Sequence, residues 1–307
     1  MRERPEALVA ARAAELATPE PAFAPLAEAV LEARGEDVDA VLLYGSCLRN
    51  RDPASGVVDL YVIVSRYATR LERWLPPTVR YIETAGEGGV TLRCKYAVIS
   101  RADLEAGTSA WFHPYLWARF AQPARLLFAR DERSAEDVAR ALASAVLTFL
   151  SETLPAAGSG PMDAATLWRR GLELTYGAEL RPEAPGQAER LAADQRAHAE
   201  HMLKCAAPAL PDLLRVRPGG QFDILASADS GRRQARRWRL RRWQGKLLSV
   251  LRWLKGAATF RGGVDYAAWK IERHTGVRIE VTDRLRRYPL IYGWPVLWRL
   301  LRRGTLK

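Results

Sequence analysis

Cysteine is scarce in this chain. Its 307 residues include only Cys47, Cys94 and Cys205, too few and too scattered for a disulfide framework or a cysteine-rich zinc site. Three small buried residues and a reducing compartment are expected instead. Histidine numbers only four. His198 and His201 lie three apart on an expected helix with no third ligand to follow, which favours a surface pair over zinc. His113 and His274 stand alone, so no Ser-His-Asp or Cys-His constellation can be read. No stretch reaches the roughly 20 consecutive apolar residues that a spanning helix needs. The opening MRERPEALVAARAAELA mixes charge with alanine and lacks the apolar core of a secretory signal. A soluble or peripheral protein is expected, not an integral one.

Acid is missing from one region in particular. Ser230 to Lys307 carries 21 basic and 4 acidic residues, a net of +17, so residues 1–229 bear −5 of the +12 total. An acidic body with a basic C-terminal quarter points to an anionic partner. Within that quarter, Arg232–Lys255 (RRQARRWRLRRWQGKLLSVLRWLK) holds ten basic residues and no acid. Leu240, Trp243, Leu247, Val250, Leu251 and Leu254 recur there at helical spacing, with Trp238, Trp243 and Trp253 interleaved among arginines. Cations beside a Trp/Leu stripe suit an anionic bilayer surface, where each cation contributes on the order of 1 kcal/mol. Trp294–Arg303 (WPVLWRLLRR) is a shorter version, and six of the ten tryptophans lie beyond residue 230, as headgroup anchoring would require. The competing expectation is that the stripe packs on the protein's own core, with even weight for Leu247–Leu254. Nucleic acid ranks second as a partner, because no zinc-finger, helix-turn-helix or RNP pattern organises it.

Apolar residues make up 48% of the chain, enough for two or three cored domains. Phe23–Arg34 reads as a short helix stopped by Gly35. Val38–Tyr44, Val57–Val64 and Val90–Ser100 read as strands, with Val79–Thr84 a further candidate and Ala68–Trp74 helical. Helical spacing then dominates in Ala102–Ala106, Pro114–Phe120, Ala135–Leu154, Ala164–Tyr176 and Glu189–Ala206. Pro155–Met162 and Arg181–Gln187 have linker composition. Strands first and helices later give an α+β class. The expected domains are 1–133, a helical 134–229, and basic amphipathic C-terminal helices over 230–307.

The sharpest chemical signal is Tyr44-Gly45-Ser46 at a strand end, followed by Asp59-Leu60-Tyr61 on a second strand. Glycine lets the backbone approach a triphosphate closely, and a following serine offers N–H and O–H donors. An acid on the adjacent strand can hold Mg²⁺ against phosphate oxygens. The pattern resembles the polymerase-β-type nucleotidyltransferase fold with one departure: Tyr61 stands where a second carboxylate is usual. The alternative account of Asp59, with the lesser weight, is a strand-end turn residue.

Further blocks sharpen the resemblance. Lys95-Tyr96-Ala97-Val98-Ile99-Ser100 precedes Asp103-Leu104, Trp111, Tyr115-Leu116 and ARFAQPARLL (Ala118–Leu127). Leu174–Arg181 reads LTYGAELR, and Lys255-Gly256, Thr259, Gly263, Tyr266 and Lys270-Ile271 follow. In this order the patches resemble the mitochondrial-type phosphatidate cytidylyltransferases, the translocator assembly and maintenance protein family, whose lone acid suits Tyr61. The likeness spans roughly Val38 to His274. It implies a nucleotidyltransferase domain, a winged-helix-like helical domain, and an Mg²⁺-dependent reaction. That reaction takes CTP and phosphatidate to CDP-diacylglycerol and pyrophosphate, at the cytoplasmic face of a membrane as a peripheral protein. Catalytic roles fall to Asp59 (also the metal ligand), Lys95 and Glu179. Gly45, Ser46, Tyr176, Arg181, Lys255 and Lys270 are expected at nucleotide or headgroup. Lys95 either pairs with Asp59 or meets phosphate, the latter preferred. Glu179 could equally cap a helix, Glu83 reads as a solvated strand acid, Arg119 has even odds of function, and Arg125 reads as a surface charge.

Overall fold

The computed structural model describes residues 5–179, 186–259, 280–287 and 292. Two helices come first, α1 (Glu6–Leu16) and α2 (Ala24–Arg34). Gly35 ends α2 at φ 73°, a conformation glycine adopts without a Cβ penalty. Then follow β1 (Val38–Tyr44), α3 (Ser46–Asn50), β2 (Val57–Val64), the single turn α4 (Arg70–Arg73), β3 (Thr78–Ala85) and β4 (Thr91–Ser100). Next come α5 (Arg101–Ser109), α6 (Trp117–Phe120), β5 (Ala124–Ala129) and the long α7 (Glu132–Ala157). Then come β6 (Gly160–Asp163), α8 (Ala164–Tyr176), α9 (Gln187–Asp194), α10 (Arg196–Ala206), β7 (Leu214–Val216), β8 (Gln221–Ile224), α11 (Ala228–Thr259) and the short α12 (Asp283–Arg287). The architecture is mixed α+β.

The five-stranded sheet runs β3-β4-β2-β1-β5, with β2 and β4 parallel and the other pairs antiparallel. Both of its faces are covered. Leu42, Tyr61, Ile63, Ala97 and Ile99 pack toward α5, α6 and α7, whereas Leu43, Leu60, Val62, Tyr96 and Val98 pack with Phe23, Leu26 and Val30 at α2. Burial on both sides explains why VDAVLLY and VVDLYVIV read as near-continuous apolar runs rather than alternating ones. The first core continues through Leu142, Phe149, Trp168 and Met202, so one apolar cluster joins the sheet to the helices after residue 134. A second, antiparallel sheet runs β6-β8-β7.

Several elements differ from the sequence-based expectation. Ala68–Trp74 and Pro114–Phe120 each yield only one helical turn. Glu189–Ala206 divides at Gln195 into α9 and α10. The expected linker Pro155–Met162 instead holds the end of α7 and most of β6, with Gly158 at φ 101° making the break. β5 was hidden inside a turn-like ARFAQPARLL, because Pro123 masks the strand that follows it.

Helix α11 lies against α7 and β3. Glu152 of α7 gathers it: Arg241 pairs at 2.7 Å, Arg237 at 3.2 Å, and Gln234 and the Trp238 indole donate to the Glu152 backbone carbonyl at 2.6 and 2.9 Å. Gly245 lets α11 touch the turn after α8, since a Cβ there would fall 1.9 Å from the Ala178 carbonyl oxygen.

Candidate functional site

The site begins where three strands carry polar groups in one register row. Tyr44 faces Asp59 across β1–β2, and Asp59 faces Lys95 across β2–β4. Asp59 shares the sheet face of Tyr61, at the point where the apolar core stops. Its Oδ1 accepts the Lys95 ammonium at 2.7 Å. Gly45 then turns the chain at φ 89°, and a Cβ there would sit 3.2 Å from Asp59 Oδ2. Only glycine satisfies both the left-handed backbone and that approach. Ser46 follows, exposed, as the first residue of α3.

Behind this row lies a half-buried arginine in an aromatic cage. The Arg119 guanidinium donates to the Tyr61 hydroxyl at 3.1 Å and sits 5.3, 5.8 and 4.5 Å from the ring centroids of Tyr44, Tyr61 and Tyr115. Burial opposes its charge, but the three hydroxyls and Glu179 more than offset that and hold Arg119 well above its usual range. Helix α11 completes the cage with Arg252, 4.0 Å over the Tyr115 ring and 3.3 Å from His113 Nε2. Burial pushes Tyr61 up. It works the same way on Tyr115, yet Arg119 and Arg252 together pull that hydroxyl down. Burial, and then Arg252, lower His113 to about 3, so its ring is neutral at ordinary pH.

These groups open onto a cleft of about 390 Å³. Tyr44, Gly45, Ser46, Asp59, Arg119 and Tyr176 line it, together with Leu48 and Arg49 of α3, Gln122 and Pro123 before β5, and Gln187, Leu191 and Gln195 around α9. Arg49 and Asp194 approach each other at 3.8 Å across it. The 120–124 segment is braced from α1. Fully buried Arg12 donates to the carbonyls of Phe120 and Gln122, each at 3.2 Å, and to Glu15 at 2.7 Å. Glu15 in turn accepts from the Ala124 N–H at 2.9 Å and approaches His198 at 3.1 Å. Although burial opposes its charge, Arg12 and His198 bring the Glu15 carboxyl down to about 2. His198 is thus a half-buried strut bonded to the Ala121 carbonyl at 2.8 Å, a correction to the expected surface pair; only His201 is exposed.

The structure brings Gly45, Ser46, Asp59, Arg119 and Tyr176 to one cavity. Of the two partners open to Lys95, it shows Asp59. Glu179 lies on the turn after α8, its N–H donating to the Tyr176 carbonyl at 2.9 Å, and its charge acts on Arg119, Tyr115 and Arg252. Lys255 goes elsewhere. Its Nζ donates to the carbonyls of Glu72 and Leu75 at 3.3 and 3.2 Å, and burial lowers it to about 8. It fastens α11 to the segment before β3 and is not among the residues that line the cleft. Glu83 pairs with Arg93 at 3.3 Å. Arg125 reaches Glu15 and Glu20, both at 3.6 Å, and is half-buried rather than a free surface charge. Arg181, Lys270 and Trp294–Arg303 lie outside the described residues. Sequence reading gave no role to Arg252, His113, Gln122 and Gln195, which meet across 139 positions in the first pair and 73 in the second.

Among the described residues no three metal-ligating side chains gather. The donor set nonetheless fits one Mg²⁺ held with substrate. Asp59 Oδ2 faces the gap that Gly45 leaves, and magnesium commonly takes one or two carboxylates with phosphate oxygens and water for the rest.

No helix among the described residues is long and apolar enough to cross a membrane. Helix α11 instead shows an outward apolar ridge: Leu240, Trp243, Leu247 and Val250 are 57, 67, 46 and 42% exposed. Trp238 departs from the expected stripe. It is fully buried, 6.1 Å from the Trp117 ring centroid.

The chain matches no protein-family model and no curated protein. Its likeness to the phosphatidate cytidylyltransferases therefore rests on the quoted patches and their order.

Proposed function

We propose that this protein is a nucleotidyltransferase working at a membrane surface, joining CTP and phosphatidate into CDP-diacylglycerol and pyrophosphate. On this reading the five-stranded sheet is a polymerase-β-type nucleotidyltransferase domain. The β6-β8-β7 sheet with α8–α10 is its winged-helix-like companion. One observation carries the proposal: the Gly45-Ser46 turn, Asp59 and the caged Arg119 line a single cleft, with Lys95 paired to Asp59. The outward ridge of α11, on the most basic segment of the chain, supports an anionic lipid acceptor and peripheral attachment at the cytoplasmic face.

In the reaction, a phosphate oxygen of the lipid attacks the α-phosphorus of CTP. A new P–O–P link forms, the bond from the α-phosphorus to the bridging oxygen breaks, and pyrophosphate leaves with the electron pair. The Gly45 backbone admits the triphosphate, and the Ser46 N–H and hydroxyl donate to its oxygens. Lys95 orients the Asp59 carboxylate and adds a cation beside it. Arg119 presents a second cation that Tyr44, Tyr61 and Tyr115 hold in place, so no reorganisation is needed as charge shifts. Tyr176 closes the wall beside it. Asp59 is the residue that would hold Mg²⁺, and the ion neutralises charge across the phosphate oxygens when bound.

The test is pyrophosphate release with CTP and phosphatidate-containing vesicles, with and without Mg²⁺. Asp59→Asn is expected to lower turnover by about a hundredfold or more. Full turnover in Asp59→Asn, or release that needs no phosphatidate, overturns the proposal. Parallel arms with RNA ends and polar phosphates identify a different acceptor, and vesicle binding without any nucleotide binding identifies a tether.

A further inference from the structure

One end of the cleft is lined by amides rather than charges. Gln122 and Pro123 come from the segment before β5, and Leu191 and Gln195 stand one turn apart at the end of α9. The two glutamines belong to a chain of hydrogen bonds that starts in the core. The Trp168 indole N–H donates to Gln195 Oε1 at 3.1 Å, Gln195 Nε2 donates to Gln122 Oε1 at 3.2 Å, and Gln122 Nε2 donates to the Ala118 carbonyl at 3.1 Å. Indole nitrogen can only donate. That fixes which end of the Gln195 amide is oxygen, and the same constraint passes to Gln122. Trp168 is itself immobile, fully buried against Phe149 at 4.7 Å.

An amide nitrogen carries two N–H groups, and each of these spends one inside the relay. Each glutamine therefore keeps one N–H without a partner among the described residues, on a side chain that lines the cleft. Neither amide can rotate to offer its oxygen instead without breaking the relay. Pro123 and Leu191 supply apolar surface beside them.

We infer that Trp168, Gln195 and Gln122 form a base-reading relay, which selects a nucleobase presenting two adjacent hydrogen-bond acceptors. Among the pyrimidines only cytosine does so, through O2 and N3, and among the purines only guanine, through O6 and N7. Uracil places an N3–H donor between its carbonyls. Guanine shows the pair only on its O6/N7 edge, its other edge setting N1–H and N2–H donors beside O6, and adenine sets an amino group beside both N1 and N7. The inference rests on the nucleotidyltransferase reading of this cleft and adds the element that sets its base preference.

Equilibrium binding of CTP, UTP, ATP and GTP to the full chain with Mg²⁺ tests it. CTP is expected to bind at least about tenfold more tightly than UTP and ATP, the scale of one good two-point base contact, and GTP is the purine that shares the two-acceptor pattern. Trp168→Phe removes the pinning donor and keeps an aromatic ring. Gln122→Met removes the half-buried amide at similar volume, so it serves if Trp168→Phe does not fold. In either folded variant the CTP-to-UTP ratio is expected to fall toward one. A relay that only braces the fold would weaken all four nucleotides alike. If the four bind wild type equally, or the ratio survives in the variants, the relay reading fails and the triphosphate site stands. If no nucleotide binds, both fail together.

Discussion

Gly245→Ala sets two effects of opposite sign against each other. In a helix interior alanine gains about 1 kcal/mol over glycine, so an exposed glycine in α11 would be improved by the change. Position 245 is not exposed. The new Cβ would lie 1.9 Å from the Ala178 oxygen and 3.0 Å from its carbon, more than an ångström inside ordinary contact. The obstacle is backbone, so no side-chain rotation relieves it. Either α11 lifts or the Tyr176–Glu179 turn is pushed toward the cleft. Lifting α11 strains the Arg241–Glu152 pair at 2.7 Å and the Arg252 stack on Tyr115 at 4.0 Å. Overpacking of this kind costs roughly 1–3 kcal/mol, occasionally more. With two anchored contacts in the way, the upper part applies. The net expectation is a loss of about 2 kcal/mol by urea unfolding, with weakened triphosphate binding because Tyr176 lines the cleft. A Gly245→Ala protein more stable than wild type, with unchanged nucleotide affinity, refutes the close packing of α11 on this turn.

Four further outcomes follow from the same contacts. Glu152→Ala strands buried Arg241, whose Nη1 already lacks a hydrogen-bond partner among the described residues; breaking such a pair costs about 3 kcal/mol, to be read from the urea midpoint, and a shift under about 0.5 kcal/mol would refute the anchoring. Trp243→Ser leaves the melting temperature unchanged but weakens binding to phosphatidate-containing vesicles by about tenfold, the worth of one buried aromatic ring; equal sedimentation of both proteins with vesicles would count against the ridge. His113 is held near 3 in the folded protein against 6.5 unfolded, so only the unfolded state takes up its proton below pH 6.5. Stability therefore falls by about 2 kcal/mol between pH 7 and 5, and a His113→Gln protein with the same slope would exclude this source. Glu15 adds a lower window: its folded value near 2 against 4.5 unfolded means that stability present above pH 4.5 drains away as pH falls toward 2, and Glu15→Gln should flatten that part of the acid titration.

The fold was legible where pattern and environment agreed. Val38–Tyr44 and Val57–Val64 announce themselves because two faces bury them. Ala164–Tyr176 has its stated bounds because Asp163 caps it, accepting from the Thr166 N–H at 3.0 Å. The three short strands were illegible because β6 finds its partner β8 about sixty residues away, and four residues carry no periodicity of their own. Gly45, Ser46 and Asp59 were legible as a group, since one turn and one strand pairing bring them together. The cage was not. Arg252 reaches His113 across 139 positions, and no local pattern marks a helical arginine that will be buried on aromatic rings. Tyr61 read as a gap in a metal site, whereas it packs at 4.8 Å on Phe120 and accepts from Arg119.

Helix α11 explains why periodicity alone could not decide between membrane and core. Spacing groups Leu240, Trp243, Leu247 and Val250 on one side, but it does not say which side faces the body. The body decides by what it presents. Along the groove that receives α11 lie the Glu152 carboxylate and the carbonyls of Glu152, Phe112, Glu72 and Leu75, all acceptors. Trp238, Arg241 and Lys255 supply matching donors at helical intervals. Half a turn of rotation would bury the ridge against those acceptors and leave each without its partner, at about 1–3 kcal/mol apiece. The donor side carrying Trp238, Arg241 and Lys255 is therefore held inward by hydrogen bonds, and the apolar ridge is left outward. An apolar ridge fixed outward among exposed Arg236, Arg239 and Lys246 is a surface built to be covered. The same helix carries Arg252 into the aromatic cage, so whatever covers the ridge bears on the wall of the cleft.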